Sequence, residues 1–554
     1  MTSVLGAGPA APKPRSGEGG CWACRAEAAQ RRRRALGLPR RSGAAAKAGA
    51  RCLVLIAAMC VAAPLEAREL TGVAGLVRVY DAILDARFDA AETELRKACG
   101  PAPPEACDVL AATVTWWRIL VDPESRALDA RFLAETDHAI KSTEAWAARA
   151  PGSAEAHFYA GGAYAARVQF RVLRDEKLAA ARDGKRIKQA LERAIALDPD
   201  LDDAYFGIGL YQYYADVAPA AARMLRFLLM LPGGNKTEGL AQMRRARADG
   251  QLLRGEADYQ LQIIYLWYEK RTDLAVELLE SLQDRYPGNP IFPAQLADVQ
   301  DRYQHDITTS LATWRSLLAD ARAGRVHEAA TAQAQAHLGI ARHLEALYQS
   351  DLAIDELRSV VSARPARPSG ALAAAYLGIG EGEDRLGHHD AAVAAYQLAI
   401  ASAPSPDTQN IRQRAAERMR KTPNAVTAEA YRLSLEGLRR LEKGDAAGAD
   451  GLLTRSLTLD PKDPVARYRY ARVLLAKKDD EDALRQFDAA IRGARDAPAP
   501  IVASAYYEAA RVHERLARRE KAIEYYRAAM AWFGGADETR ANARRALVRL
   551  RVER

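Results

Sequence analysis

The sequence predicts an all-α fold in which helical hairpins repeat along the chain and stack into an α-solenoid. Three observations predict it. A small-residue, large-residue, Asp-Pro rhythm recurs, and it is clearest where ALERAIALDPD is followed by DAYFGIGLYQYYADV at 190–217. With 554 residues the chain greatly exceeds one ordinary core, so several domains or an extended stack are expected. Gly and Pro are modest and aromatics are 7%, while Ala and Arg are abundant, a mixture suited to helices packed through small side chains.

The net charge of +9 is unevenly placed. Residues 1–67 carry eleven Lys/Arg against three acids, whereas the remainder holds 69 bases against 68 acids. A near-neutral body lacks the electrostatic footprint of a phosphate-backbone binder, so nucleic acid is excluded as a partner. The basic leader ends in an apolar run at 52–63, preceded by Arg51 and followed by a small residue at Ala67. That pattern matches a secretory signal peptide cleaved near Ala67, and the run is short for a bilayer span. The other reading is an uncleaved anchor or a basic tail.

Four of six cysteines lie in the leader. The other two, Cys99 and Cys107, flank a Pro-rich turn between helical patterns and form a candidate disulfide in an oxidising compartment. Two unrelated thiols are the alternative.

In the body, Tyr80–Ala98 reads as a first hairpin, followed by a looser pair anchored by Trp116, Trp117 and Trp146. Residues 165–256 read as an irregular insert. Its first helix is expected to run on until Gly184 breaks it, and the apolar stretch 219–231 is expected to be the helix that partners 203–217. Regular hairpins resume from Ala257. In the segment starting at Ala373, Tyr376, Gly380, Ala392, Tyr396, Ala399 and Pro404 fall on positions 4, 8, 20, 24, 27 and 32 of a 34-residue frame. Gly437, Ala449, Leu453 and Ser456 repeat the frame, as do Ala471, Ala483, Phe487 and Ala490, and then Ala510, Ala522, Tyr526 and Ala529. Small residues let the two helices approach, the large one fills the space between hairpins, and Asp-Pro ends a helix.

These positions resemble the tetratricopeptide repeats of bacterial exported proteins. The resemblance implies a right-handed superhelix that binds other proteins in its concave groove, without catalytic residues or cofactors. The domain reading is a leader at 1–67, an N-terminal array at 68–366 and a C-terminal array at 367–554. The last array ends in a capping helix that turns Ala543, Leu547 and Leu550 inward.

The search for chemistry finds none. Nine histidines are scattered without the H-E-x-x-H spacing, and Cys21-Trp22-Ala23-Cys24 lacks the second pair that zinc needs. Neither a metal nor a cofactor is called for. In the repeat frame the groove positions of the 203–217 helix are Asp203, Phe206, Leu210, Tyr213 and Tyr214. They read either as an aromatic strip that receives a partner's extended segment or helix, or as packing against the preceding unit. Arg171, Arg174, Lys185, Arg186 and Lys188 form the densest basic patch of the body, an anionic docking face or an ion-paired helix surface. The functional expectation is a non-enzymatic protein-interaction scaffold in the periplasm or envelope. One alternative is an assembly factor making peripheral membrane contact through the 219–231 stretch and the basic 171–188 helix. The other is an enzyme with a site dispersed over several repeats.

Overall fold

The structure is a computed structural model that describes residues 69–218 and 233–551. The leader with its apolar run and the 219–231 stretch lie outside the described residues. The described residues form α-helices and one short 3₁₀ turn, with no strand among them.

In chain order the first helices are α1 (Val73–Leu84), α2 (Phe88–Ala98), α3 (Pro104–Val121), α4 (Asp129–Arg149), α5 (Ala154–Leu173) and α6 (Lys177–Leu197). Then come α7 (Ala204–Val217), α8 (Lys236–Asp249), α9 (Arg254–Trp267), α10 (Thr272–Arg285), α11 (Ile291–Arg302) and α12 (Ile307–Arg322). The next six are α13 (Ala329–Ala346), α14 (Ser350–Ala363), α15 (Ala371–Leu386), α16 (His389–Ser402), α17 (Ile411–Met419) and α18 (Ala425–Glu442). The last are α19 (Ala446–Leu459), α20 (Pro464–Ala476), α21 (Asp480–Arg492), α22 (Ala499–Arg515), α23 (Arg519–Ala531) and α24 (Asp537–Arg549). Among the described residues consecutive helices pack on one another from α1 to α17 and again from α18 to α24, with α18 packed on α15, which is the α-solenoid the sequence predicts.

One local device builds most hairpins. After the first helix a single residue takes a left-handed conformation: Ala86, Asp175, Lys270, His305, Tyr348, Gly387, Gly444, Lys478 and Ala517. The next amide then reaches back to a carbonyl of the last turn, as from Gln349 to Leu344, His388 to Glu383 and Asp479 to Leu474. This satisfies carbonyls that the helix end would otherwise leave unpaired. Asp or Asn side chains cap several of the helices that follow a loop, among them Asn424 before α18 and Asp463 before α20.

The repeat frame corresponds to real packing. A Cβ at Gly380 would meet the ring of Tyr396 at 2.4 Å, so only glycine lets that large residue lie across its own hairpin. Phe487 and Tyr526 occupy the equivalent places and are buried. In α24 Ala543 and Leu547 are buried and Leu550 packs partly against them, while Arg540 reaches Asp306 at 3.3 Å.

Contacts are not confined to neighbouring hairpins. Tyr286 Oη donates to Asp81 at 3.1 Å, and the Asn289 side chain donates to the Leu84 carbonyl at 2.6 Å. The Asp122 carboxylate accepts the Ser369 amide at 3.0 Å, and Thr408 donates to Glu124. The Pro-containing segments 365–369 and 404–408 are thus docked on the turn after α3.

One expectation about the irregular segment is corrected. The long helix breaks at Arg174–Glu176 rather than at Gly184, which lies inside α6. Asp175 takes φ 63°, a conformation Asp tolerates, and the Glu176 amide closes on the Arg171 carbonyl. The expected partner helix at 219–231 lies outside the described residues; among those described, α7 packs on α6 and on α8.

Candidate functional site

The predicted strip starts at Asp203, just ahead of α7. Its carboxylate accepts the amides of Gln251 at 2.8 Å, Leu252 at 3.0 Å and Leu253 at 2.8 Å. These are donors at the head of α9 that its own turns cannot satisfy. Asp203 is therefore a structural clamp between two hairpins and is 2% exposed. Burial pushes its carboxyl up, against the pull of those amides.

Phe206 and Tyr213 are also interior, sharing a core with Met243, Leu261 and Leu279. The reason is α8. Its Gly239 faces Gly209 so closely that a Cβ on either would stand 2.5–2.7 Å from the other's carbonyl oxygen. Helix backbones in contact leave no open face between them. Tyr213 Oη donates to Glu269 at 2.7 Å, and Lys236 reaches the same carboxylate at 3.3 Å. The Tyr213 bond holds the Glu269 carboxyl below its usual range. Asp203, Phe206 and Tyr213 are thus withdrawn from any groove. Leu210 and Tyr214 remain partly exposed, with the Tyr214 ring edge-on to Tyr268 at 5.5 Å.

The basic patch is mostly neutralised within the fold. Arg171 donates to the buried Asp183 at 2.6 Å, and Arg167 donates to it at 2.9 Å. Arg174 forks onto Asp129 and also binds the carbonyls of Pro123 and Ser125, tying the end of α5 to the α3–α4 turn. Lys188 pairs with Glu192. Of the five predicted residues Arg186 is exposed and Lys185 half-buried. Arg171, Arg174 and Lys188 are thus ion-paired within the fold. Cys99 and Cys107 are bonded to each other, fastening the end of α2 to the first turns of α3.

One arrangement has the outline of a nucleophile and base. Ser310 Oγ lies 2.7 Å from His343 Nε2. The hydroxyl donates to the Ala297 carbonyl at 2.6 Å, so it accepts from the imidazole instead of giving it a proton. Both are buried, and burial pushes the imidazole down to about 4. The pair is a polar tie between α11, α12 and α13. His388 and His389 bond to Glu383 and Asp384 at the α15–α16 turn. Among the described residues no group of three His, Cys, Asp or Glu is placed to hold a metal ion.

Sequence reasoning missed a cavity of about 80 Å³ that Asp203 and Phe206 do line. Its other prominent walls are Tyr80, Trp116, Phe158, Tyr159 and Glu256, from helices far apart in sequence. Glu256 sits in α9 with no motif around it to draw attention.

Residues 440–511 and 503–533 match two tetratricopeptide-repeat families. That part of the chain is built of tetratricopeptide repeats. No curated protein matches the chain by sequence. Among solved structures, the chain is similar to the Cut9–Hcn1 hetero-tetramer of the APC/C, at 14% identity over 86% of this chain and 89% of that one, with a TM-score of 0.24. It is similar to the human IFIT1 dimer with PPP-AAAA, at 15% identity over 76% and 94%, with a TM-score of 0.29. It is also similar to the TPR2AB domain of yeast Sti1 in complex with an Hsp90 peptide, at 15% over 56% and 97%, with a TM-score of 0.19.

Proposed function

We propose that the chain is a non-enzymatic scaffold that binds other proteins and is exported to the bacterial envelope. The observation that carries the reading is the repeat array itself: paired helices along the described residues, with tetratricopeptide repeats at 440–533. Such arrays present extended surfaces to partner proteins. The near-neutral body argues against a nucleic-acid partner. Export is supported by the apolar run at 52–63 behind a basic flank. A bonded Cys99–Cys107 pair suits an oxidising compartment.

The partner surface on this reading includes the half-buried remainder of the strip, Leu210 and Tyr214, with Tyr268 (41% exposed) beside them. A peptide segment or helix of the partner would use these side chains as apolar and aromatic anchors. The membrane alternative loses its basic half to the ion pairs of α5 and α6. Among the described residues no helix is long and apolar enough to cross a membrane.

The test is affinity capture from the envelope fraction by the wild type and by a Tyr214→Ala/Tyr268→Ala variant, with N-terminal sequencing of the purified chain. The reading expects a partner retained by the wild type and lost by the variant, and a mature N-terminus near Arg68. Equal recovery by both proteins removes the proposed surface, and a retained leader removes the signal-peptide reading.

A further inference from the structure

The cavity among α1, α3, α5, α6, α7 and α9 has an unusual electrostatic balance. Two carboxylates line it, Glu256 and Asp203, and its described lining residues include no lysine, arginine or histidine. Asp203 is occupied by three backbone amides. Glu256 is 4% exposed, and the groups at its carboxylate are neutral: Tyr80 Oη donates at 3.2 Å and Gln260 Nε2 at 3.3 Å, with Trp117 and Gln169 beside them. A buried carboxylate without a cation is costly to ionise. Burial accordingly pushes the Glu256 carboxyl up.

The remaining walls are aliphatic and aromatic. Tyr80, Trp116, Phe158, Tyr159 and Phe206 are all buried and all line the space. Two of their polar atoms, Tyr159 Oη and Trp116 Nε1, have no hydrogen-bond partner in the protein. Aromatic rings attract organic cations through their negative faces, most strongly where water is excluded. A space of about 80 Å³ takes on the order of five to eight non-hydrogen atoms, since one water needs roughly 10–15 Å³.

We propose that this cavity binds a small alkylammonium ion, with Glu256 as its counter-charge, the five rings against its alkyl groups and Tyr159 Oη as an acceptor for any N–H it carries. The site is independent of the scaffold reading: partner capture and cation binding can each succeed or fail alone.

The experiment titrates the purified full chain at mildly alkaline pH with tetramethylammonium chloride and with tert-butanol, a neutral molecule of the same branched shape. Calorimetry and tryptophan emission, sensitive to Trp116 in the wall, follow binding. Sodium chloride is the ionic-strength control. The expected result is saturable one-to-one binding of tetramethylammonium, at least about tenfold tighter than tert-butanol. Glu256→Gln, which keeps the shape, is expected to weaken the cation about tenfold or more and leave tert-butanol unchanged. Ala166→Leu, which fills the cavity from α5, is expected to abolish both. The proposal is overturned by equal or tighter tert-butanol binding, by cation affinity unchanged in either folded variant, or by no saturable cation binding at about 10 mM. The wild-type comparison of the two probes needs no variant, so a misfolded mutant leaves the decision intact.

Discussion

Replacing Asp203 by alanine separates a structural clamp from a partner contact. The substitution removes the acceptor for three amides at the head of α9. Gln251 is exposed and its amide regains water, but Leu252 is buried and Leu253 half-buried. One buried orphan donor costs about 1–3 kcal/mol, and loss of a helix cap typically costs about 1 kcal/mol. Together they give about 2–4 kcal/mol of local stability. At the middle of that range the amides of 251–253 exchange hydrogen about two orders of magnitude faster. Asp203→Asn keeps one acceptor oxygen and falls in between. Hydrogen exchange read by mass spectrometry over the α7–α9 peptides measures this without assuming that so long an array unfolds in one step. Exchange unchanged in Asp203→Ala, together with lost partner capture, would refute the clamp and restore the groove reading.

Gly239→Ala is expected to destabilise the α7–α8 pair by about 1–3 kcal/mol, seen as a lower urea midpoint, although alanine is the better helix former. The reason is that its Cβ meets a backbone carbonyl that cannot step aside. Lys478→Gly is expected to stabilise by about 1 kcal/mol, because it relieves a left-handed lysine at the α20–α21 turn. His343 gives a pH signature. Its folded value of about 4 lies below the ordinary 6.5, so the unfolded chain binds the extra proton first. The contribution is complete above 6.5 and is lost as pH falls through that window toward 4. His343→Gln is expected to flatten that part of the stability profile in chemical denaturation. Reducing Cys99–Cys107 is expected to cost roughly 2–3 kcal/mol, by the loop-closure entropy of so short a loop.

The regular hairpins were legible because their packing needs particular residue sizes at fixed spacing. Gly380 under Tyr396 and Ala522 near Tyr526 announce themselves in the sequence. The turns were legible only where glycine holds the left-handed position, as at Gly387 and Gly444. At Ala86, Lys270, Tyr348 and Ala517 the same conformation falls on residues that do not favour it. No local propensity records that. Asp175 is the costliest example: the helix ends there, while Gly184, the conventional breaker, lies within the next helix.

The site was harder to read for a different reason. The frame placed Phe206 and Tyr213 on the correct helix face, but the burial of that face is decided by α8, a polar helix with Gly239, Met243 and Ala246 as its buried residues. The far more apolar 219–231 stretch drew the pairing in the sequence reading. The cavity was invisible for a topological reason, since its walls come from six helices spread over some 180 residues. Glu256 becomes conspicuous only when its neighbours are known. Likewise the basic patch could not be discounted until Asp129 and Asp183 were seen beneath its arginines.

The central claim is that this array holds another protein against the surface around Tyr214 and Tyr268. Site-specific photocrosslinking in intact cells tests it most directly, with the crosslinker placed at Tyr214, at Tyr268 and, as a control, at Arg182 on the exposed side of α6. The account predicts one discrete higher-mass adduct from the first two positions and none from Arg182. No adduct from either tyrosine, or the same adduct from all three positions, would contradict it.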